Sequence, residues 1–161
     1  MNQVYLSLGS NVGDRKACLE KALKYIISET GTLVKQSDIY ETEPWGRPDQ
    51  KPFYNQIIKL MTSLEPFGLL SVLQKIETKC GRKPSSERYT PRPMDIDILF
   101  FNSIIITSEN LIIPHPQIHN RRFVLVPMAE IAAEFIHPVL GGNIAQLLDR
   151  CDDELQVAKI V

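Results

Sequence analysis

The chain has 161 residues, 43% of them hydrophobic, enough to bury a core within one domain without disulfide or metal staples. Its formal net charge of −1 excludes a chain-wide basic field for nucleic acid or an anionic membrane, so any cationic cluster has to be read locally. Cys18, Cys80 and Cys151 are odd in number and lack metal-type spacing, as free thiols of a reducing compartment would be. The opening residues show no charged region followed by a long apolar one, and no apolar run approaches about 18 residues, so a soluble, cytoplasmic protein is expected.

Val4-Tyr5-Leu6-Ser7-Leu8 alternates as a strand does. Gly9-Ser10-Asn11 reads as the turn into a helix with the stripe Cys18, Leu19, Ala22, Leu23, Ile26 and Ile27, ended by Gly31. A second strand is expected over 33–41, then a loop at Pro44-Trp45-Gly46-Arg47-Pro48-Asp49, whose breakers forbid regular structure, then a third strand over 54–63. Pro66 opens a helix with the stripe Leu69, Leu70, Leu73 and Ile76, and Gly81 closes it. Arg82, Lys83, Arg88 and Arg92 follow in a stretch punctuated by Pro84, Ser85, Ser86, Pro91 and Pro93, which reads as a basic loop. Next, within the run from Arg92 to Phe101, comes an apolar strand with Asp95 and Asp97 at its start. The order β-α-β-β-α-β is the split pattern of ferredoxin-like α+β folds, an antiparallel sheet backed by helices. Apolar stretches at 104–106 and 111–113 and helical segments near 126–133 and 144–151 complete one domain over 1–161.

The strand with two carboxylates is the most informative stretch. Alternation puts Asp95 and Asp97 on one face, roughly 6 to 7 Å apart at about 3.3 Å per residue, a span that a hard cation or cation pair bridges. A lone Asp-x-Asp is common at solvated strand ends. Here Ile98, Leu99, Phe100 and Phe101 follow, too apolar for an exposed strand, and buried carboxylates need a partner or a metal. Carboxylates for Mg²⁺ beside arginines for anions suggest phosphoryl chemistry. Gly9-Ser10-Asn11-Val12-Gly13 lacks both the Gly-Lys-Ser/Thr ending of a Walker loop and the spacing of a dinucleotide fingerprint, so it reads as a tight turn. His115, between Pro114 and Pro116, stands near Arg121 and adds a donor to an anion site. Trp45, Phe53, Tyr54 and Phe123 lie in loops and at strand edges, where two facing rings would stack a flat heterocycle. Asn55 would read its donor and acceptor edge, and Thr42–Trp45 would add backbone groups.

With these residues in hand, the whole chain resembles the 6-hydroxymethyl-7,8-dihydropterin pyrophosphokinase family of folate biosynthesis. The resemblance rests on Leu8-Gly9-Ser10-Asn11, Tyr40-Glu41-Thr42-Glu43-Pro44, Phe53-Tyr54-Asn55, Glu77 with Gly81-Arg82, Pro91 through Leu99, and Pro114-His115 with Arg121 and Phe123. It implies an α-β-α sandwich with helices on both sides of the sheet. It also implies pyrophosphate transfer from ATP to a pterin alcohol, attacked at the β-phosphorus with AMP leaving, by positioning and charge neutralisation. By the same resemblance Asp95 and Asp97 hold two Mg²⁺ ions, and Arg82, Arg92, Asp95 and Asp97 form the catalytic group. Glu77, Arg82, Arg88, Tyr89, Arg92, Ile98, His115 and Arg121 hold ATP. Thr42, Glu43, Pro44, Trp45, Phe53, Asn55, Asp95, Arg121 and Phe123 hold the pterin. Tyr89, Thr90 and Pro84 stand where the family often has Trp, a small residue and a second arginine, within a loop, 83–90, expected to close over nucleotide.

Two other classes share single features. An RNA-recognition module has the same element order, but its central strand carries aromatic and basic residues where this chain has Asp95 and Asp97, which repel an RNA backbone. A sugar-nucleotide transferase uses Asp-x-Asp, yet neither the length nor the paired rings support it. The expected partners are ATP and a reduced pterin, with no nucleic acid or membrane, acting on a monomer.

Overall fold

Apolar alternation along the first strand decides the layering. Val4, Leu6 and Leu8 are fully buried on one face and Tyr5 on the other, so the sheet is covered on both sides. The structure is a computed structural model that describes residues 1–45, 49–83 and 91–160. In chain order the elements are β1 (Asn2–Ser10), α1 (Arg15–Glu29), β2 (Gly31–Gln36), β3 (Tyr40–Thr42), β4 (Phe53–Thr62), α2 (Pro66–Lys79) and β5 (Asp95–Phe101). They continue with β6 (Ile106–Thr107), β7 (Ile112–Ile113), a 3-10 turn (Ile118–Asn120), α3 (Arg122–Ala132), α4 (Ile144–Arg150) and β8 (Val157–Lys159).

The main sheet runs β5-β1-β4-β3-β8, with β2 pairing the same edge of β4 as β3, and all its pairs are antiparallel. Leu19, Ala22 and Ile26 of α1 and Leu69, Leu73 and Ile76 of α2 pack on one face. Val124, Leu125 and Met128 of α3 and Ile144 and Leu147 of α4 pack on the other. This is the ferredoxin-like antiparallel sheet expected from the element order, with helices on both sides as the resemblance implied.

Helix ends follow local chemistry. Asp14 caps α1 by accepting the Ala17 N–H at 3.1 Å. Pro66 occupies the first turn of α2. Gly81, at φ +99°, ends α2, with its N–H on Thr78 O at 3.0 Å and the Arg82 N–H on Glu77 O at 3.0 Å. That turn aims Arg82 back towards the sheet.

Several local expectations are corrected. Gly9 and Ser10 are strand residues of β1, so the turn into α1 begins only at Asn11. Gly31 directly follows the C-cap of α1, Thr30, but without the left-handed conformation of a helix-ending glycine: it opens β2, where a Cβ would stand 2.0 Å from Met61 O. Ile27 is exposed, outside the buried stripe. The expected second strand is two, β2 and β3, because the chain bends at 37–39 to let the Ser37 hydroxyl accept the Ile57 N–H at 3.0 Å. Among the described residues no helix is long and apolar enough to cross a membrane.

Candidate active site

Tyr5 of β1, Ile57 of β4 and Leu99 of β5 pack towards α3, and further along the same sheet face a cleft of about 430 Å³ opens beside the 3-10 turn. Ser7 and Gly9 of β1, Asp95 and Asp97 of β5, and Phe53 and Asn55 of β4 line it. Asp95 lies opposite Gly9 and Asp97 opposite Ser7 in the ladder. Thr42, Glu43, Trp45, Arg92, His115, Arg121 and Phe123 line it as well, so most of the residues singled out in the sequence meet in one place.

One end is charged. Arg82 Nη1 and Arg92 Nη1 reach the same oxygen of Asp95, at 3.0 and 3.1 Å. Arg82 also holds Glu77 Oε2 at 2.6 Å, and that oxygen accepts the Ile96 N–H at 2.8 Å. β5 is the last strand of the sheet, so Glu77 satisfies a backbone donor on its open edge. Burial pushes the Glu77 carboxyl up to about 7, against the pull of the Ile96 amide and Arg82. Asp97 is raised by burial first and by the Asp95 carboxylate second, with Arg121 and Arg92 opposing. Its Oδ2 stands 4.0 Å from His115 Nε2. His115 is driven down to about 4 by burial and then by Arg121, so it is neutral at pH 7. Its Nδ1 accepts the Gln117 N–H at 3.1 Å, which assigns the proton to Nε2, towards Asp97.

The other end is aromatic. The Arg121 guanidinium lies 4.6 Å from the Trp45 ring centroid and 5.6 Å from that of Phe123, and its Nε is buried without a hydrogen-bond partner among the described residues. Asn55 Nδ2 donates to Thr42 Oγ1 at 2.6 Å, which fixes the amide orientation. Phe53 is held through the preceding residue, since Arg15 Nη1 donates to Pro52 O at 3.0 Å while its guanidinium stacks 3.7 Å from the Tyr54 ring.

Not every expected residue lines the cleft. Ile98 packs in the core under α1 and α2, Pro44 is buried, and Glu77 supports Arg82 from beneath. Arg88, Tyr89, Pro84 and Thr90 lie outside the described residues, and so does most of the loop expected to close. Gly9 has a role that reading it as a turn residue missed: a Cβ there would stand 2.7 Å from Asn55 Oδ1 and 3.5 Å from the Phe53 ring. Asn11, buried, was also missed. Its Oδ1 accepts the Arg92 N–H at 2.8 Å and its Nδ2 reaches Lys51 O at 3.3 Å. A polar residue directly after an apolar strand was the available signal.

Among the described residues no group of three or more His, Cys, Asp or Glu could hold a metal ion. Two carboxylates on one strand face, both lining the cleft, nevertheless fit Mg²⁺. That ion takes one or two protein carboxylates and completes its shell from phosphate and water.

The fold is of the ferredoxin-like α+β class, with a cleft that is charged at one end and aromatic at the other. The chain belongs to the 7,8-dihydro-6-hydroxymethylpterin-pyrophosphokinase (HPPK) family, whose model matches residues 5–133. It is a pyrophosphokinase of folate biosynthesis. It is similar to the 2-amino-4-hydroxy-6-hydroxymethyldihydropteridine pyrophosphokinase of Bacillus subtilis, 45% identical over 134 residues, which cover 83% of this chain and 80% of that one. The enzyme of the same name from Methylorubrum extorquens is 41% identical over 89% of each chain. A crystal structure of Plasmodium falciparum HPPK-DHPS shares the fold, with a TM-score of 0.73 at 18% identity, covering 93% of this chain and 43% of that longer one.

Proposed function

We propose that the chain transfers a pyrophosphoryl group from ATP to the hydroxymethyl oxygen of 6-hydroxymethyl-7,8-dihydropterin, releasing AMP, with Asp95 and Asp97 holding two Mg²⁺ ions. The observation that carries this is one cleft with Asp95, Asp97, Arg92 and His115 at one end and Trp45, Phe53, Asn55 and Phe123 at the other. A flat heterocycle and a polyphosphate need such a pair of ends, joined where the alcohol meets the phosphate chain.

On this reading the rings of Phe53 and Phe123 cover the pterin faces and the oriented Asn55 amide reads its edge. Arg92 and Arg82 bind phosphate oxygens, and neutral His115 gives a donor from Nε2. Arg121 spans the two ends, its unpartnered Nε free for an acceptor on the ligand. Bound Mg²⁺ would neutralise charge on the phosphates. The alcohol oxygen forms a bond to the β-phosphorus, the bond from that phosphorus to the α,β-bridging oxygen breaks, and the alcohol proton leaves to solvent. Positioning and charge neutralisation supply most of the acceleration, and no general base is assigned. The 161 residues act as one domain on these two small molecules.

The test is product identity. Protein, Mg²⁺, ATP and the reduced pterin alcohol are expected to yield AMP and the pterin diphosphate, and excess EDTA to stop the reaction. ADP as product would overturn the proposal.

A further inference from the structure

Beyond α4, outside the residues that the family model matches, the chain returns to the aromatic end of the cleft and touches both of its walls. On one wall, α3 begins at Arg122 with Arg121 as its N-cap, and the Arg121 side chain satisfies none of the free N–H groups of the first turn. Asp153 does so from a distance: its Oδ2 accepts the Arg122 N–H at 2.9 Å, between the two residues, Arg121 and Phe123, that face the cleft. Its Oδ1 accepts the Leu155 N–H at 3.0 Å, which locks the carboxylate in place. A negative charge at that helix end also meets the positive end of the dipole.

On the other wall, the Gln156 N–H donates to Glu43 Oε1 at 2.9 Å and the Gln156 carbonyl accepts the Glu43 N–H at 3.3 Å. The chain then runs on as β8 beside β3, with Val157 opposite Thr42. Thr42 holds the Asn55 amide, and Trp45 lies two residues beyond Glu43. From Asp153 to Gln156, a few residues therefore connect the wall that carries Arg121 and Phe123 to the wall that carries Thr42 and Trp45.

We propose that this segment is a strap that sets the spacing of the two walls, and that Asp153 is a positioning residue for the ring substrate. The proposal rests on the reading that the aromatic end takes the pterin. Asp153 itself does not line the cleft, so it acts through Arg122 and the start of α3.

The test compares Asp153→Ala with the wild type, both as full chains, by separate calorimetric titrations with the reduced pterin alcohol and with α,β-methylene-ATP in Mg²⁺. Loss of a helix-capping acceptor is expected to weaken pterin binding about fivefold and to leave nucleotide binding within about twofold. Asp153→Asn, which keeps the shape and one carbonyl acceptor, is expected to fall between the two and carries the test if the alanine variant does not fold. Gln156→Ala keeps the main-chain pair with Glu43 and is expected to bind as the wild type does. Equal losses for both ligands, or no loss for either, would overturn the strap while leaving the proposed reaction standing. A wild type that makes no AMP would overturn the proposed reaction itself.

Discussion

Glu77 and Arg82 meet through one oxygen: Glu77 Oε2 lies 2.6 Å from Arg82 Nη1 while it also accepts the Ile96 N–H. A buried carboxylate under the sheet edge thus aims an arginine whose Nη1 also reaches Asp95, a residue that lines the cleft.

The folded chain holds the Glu77 proton more tightly than the unfolded chain, because burial raises its carboxyl from 4.5 to about 7. The stability this contributes is complete below about pH 4.5 and is lost as pH rises through about 7. Glu77→Gln removes that dependence. Relative to the wild type, the variant is expected to gain up to about 3 kcal/mol between those pH values, measured by urea unfolding in EDTA across a pH series. A difference that does not change with pH would refute this.

Asp95→Asn and Asp97→Asn are both expected to abolish nearly all AMP formation, but with opposite effects on the free protein. Asp95 is neutralised by Arg82 and Arg92, so its loss leaves two guanidinium groups without their shared partner and costs about 1 to 2 kcal/mol. Asp97 is raised by burial and by Asp95, so its neutral isostere leaves stability unchanged or raises it. Thermal melts in EDTA separate the two. Ordinary turnover by either variant in Mg²⁺ would remove the metal assignment.

Phe53→Ala and Phe123→Ala each delete a ring from the aromatic end without touching a carboxylate or arginine of the charged end. Each is expected to cost pterin binding about 1 kcal/mol or more and to spare ATP binding. Titration with each ligand decides it, since equal losses would make these rings supports of the core.

Gly9→Ala and Gly31→Ala are expected to fail differently. At Gly9 the new methyl meets Asn55 Oδ1 at 2.7 Å, and relief requires turning the amide away from Thr42, so pterin affinity falls while the fold persists. At Gly31 it meets the Met61 carbonyl oxygen at 2.0 Å, which only a backbone shift relieves, so stability falls by about 1 to 3 kcal/mol. Melting curves beside pterin titrations distinguish these outcomes.

What the sequence determined by itself was everything encoded within a few residues. Period-two alternation placed Asp95 and Asp97 on one face, Pro66 and Gly81 bounded α2, and the order of elements led to an antiparallel sheet backed by helices. Tertiary structure decided what depends on register between distant segments. At the irregularity between β1 and β5, Leu6 pairs with Ile98 while Tyr5 pairs with Phe100, so Leu99 and Phe100 both pack towards α3 and α4, against simple alternation. The same dependence on distant partners made Gly9 a strand residue under Asn55, put Glu77 beneath the cleft, and brought Asp153 to the start of α3. A hydrogen bond between residues dozens of positions apart leaves no local mark, because either partner could serve as well on an exposed surface. Only the packing of helices on both faces of the sheet brings the two together.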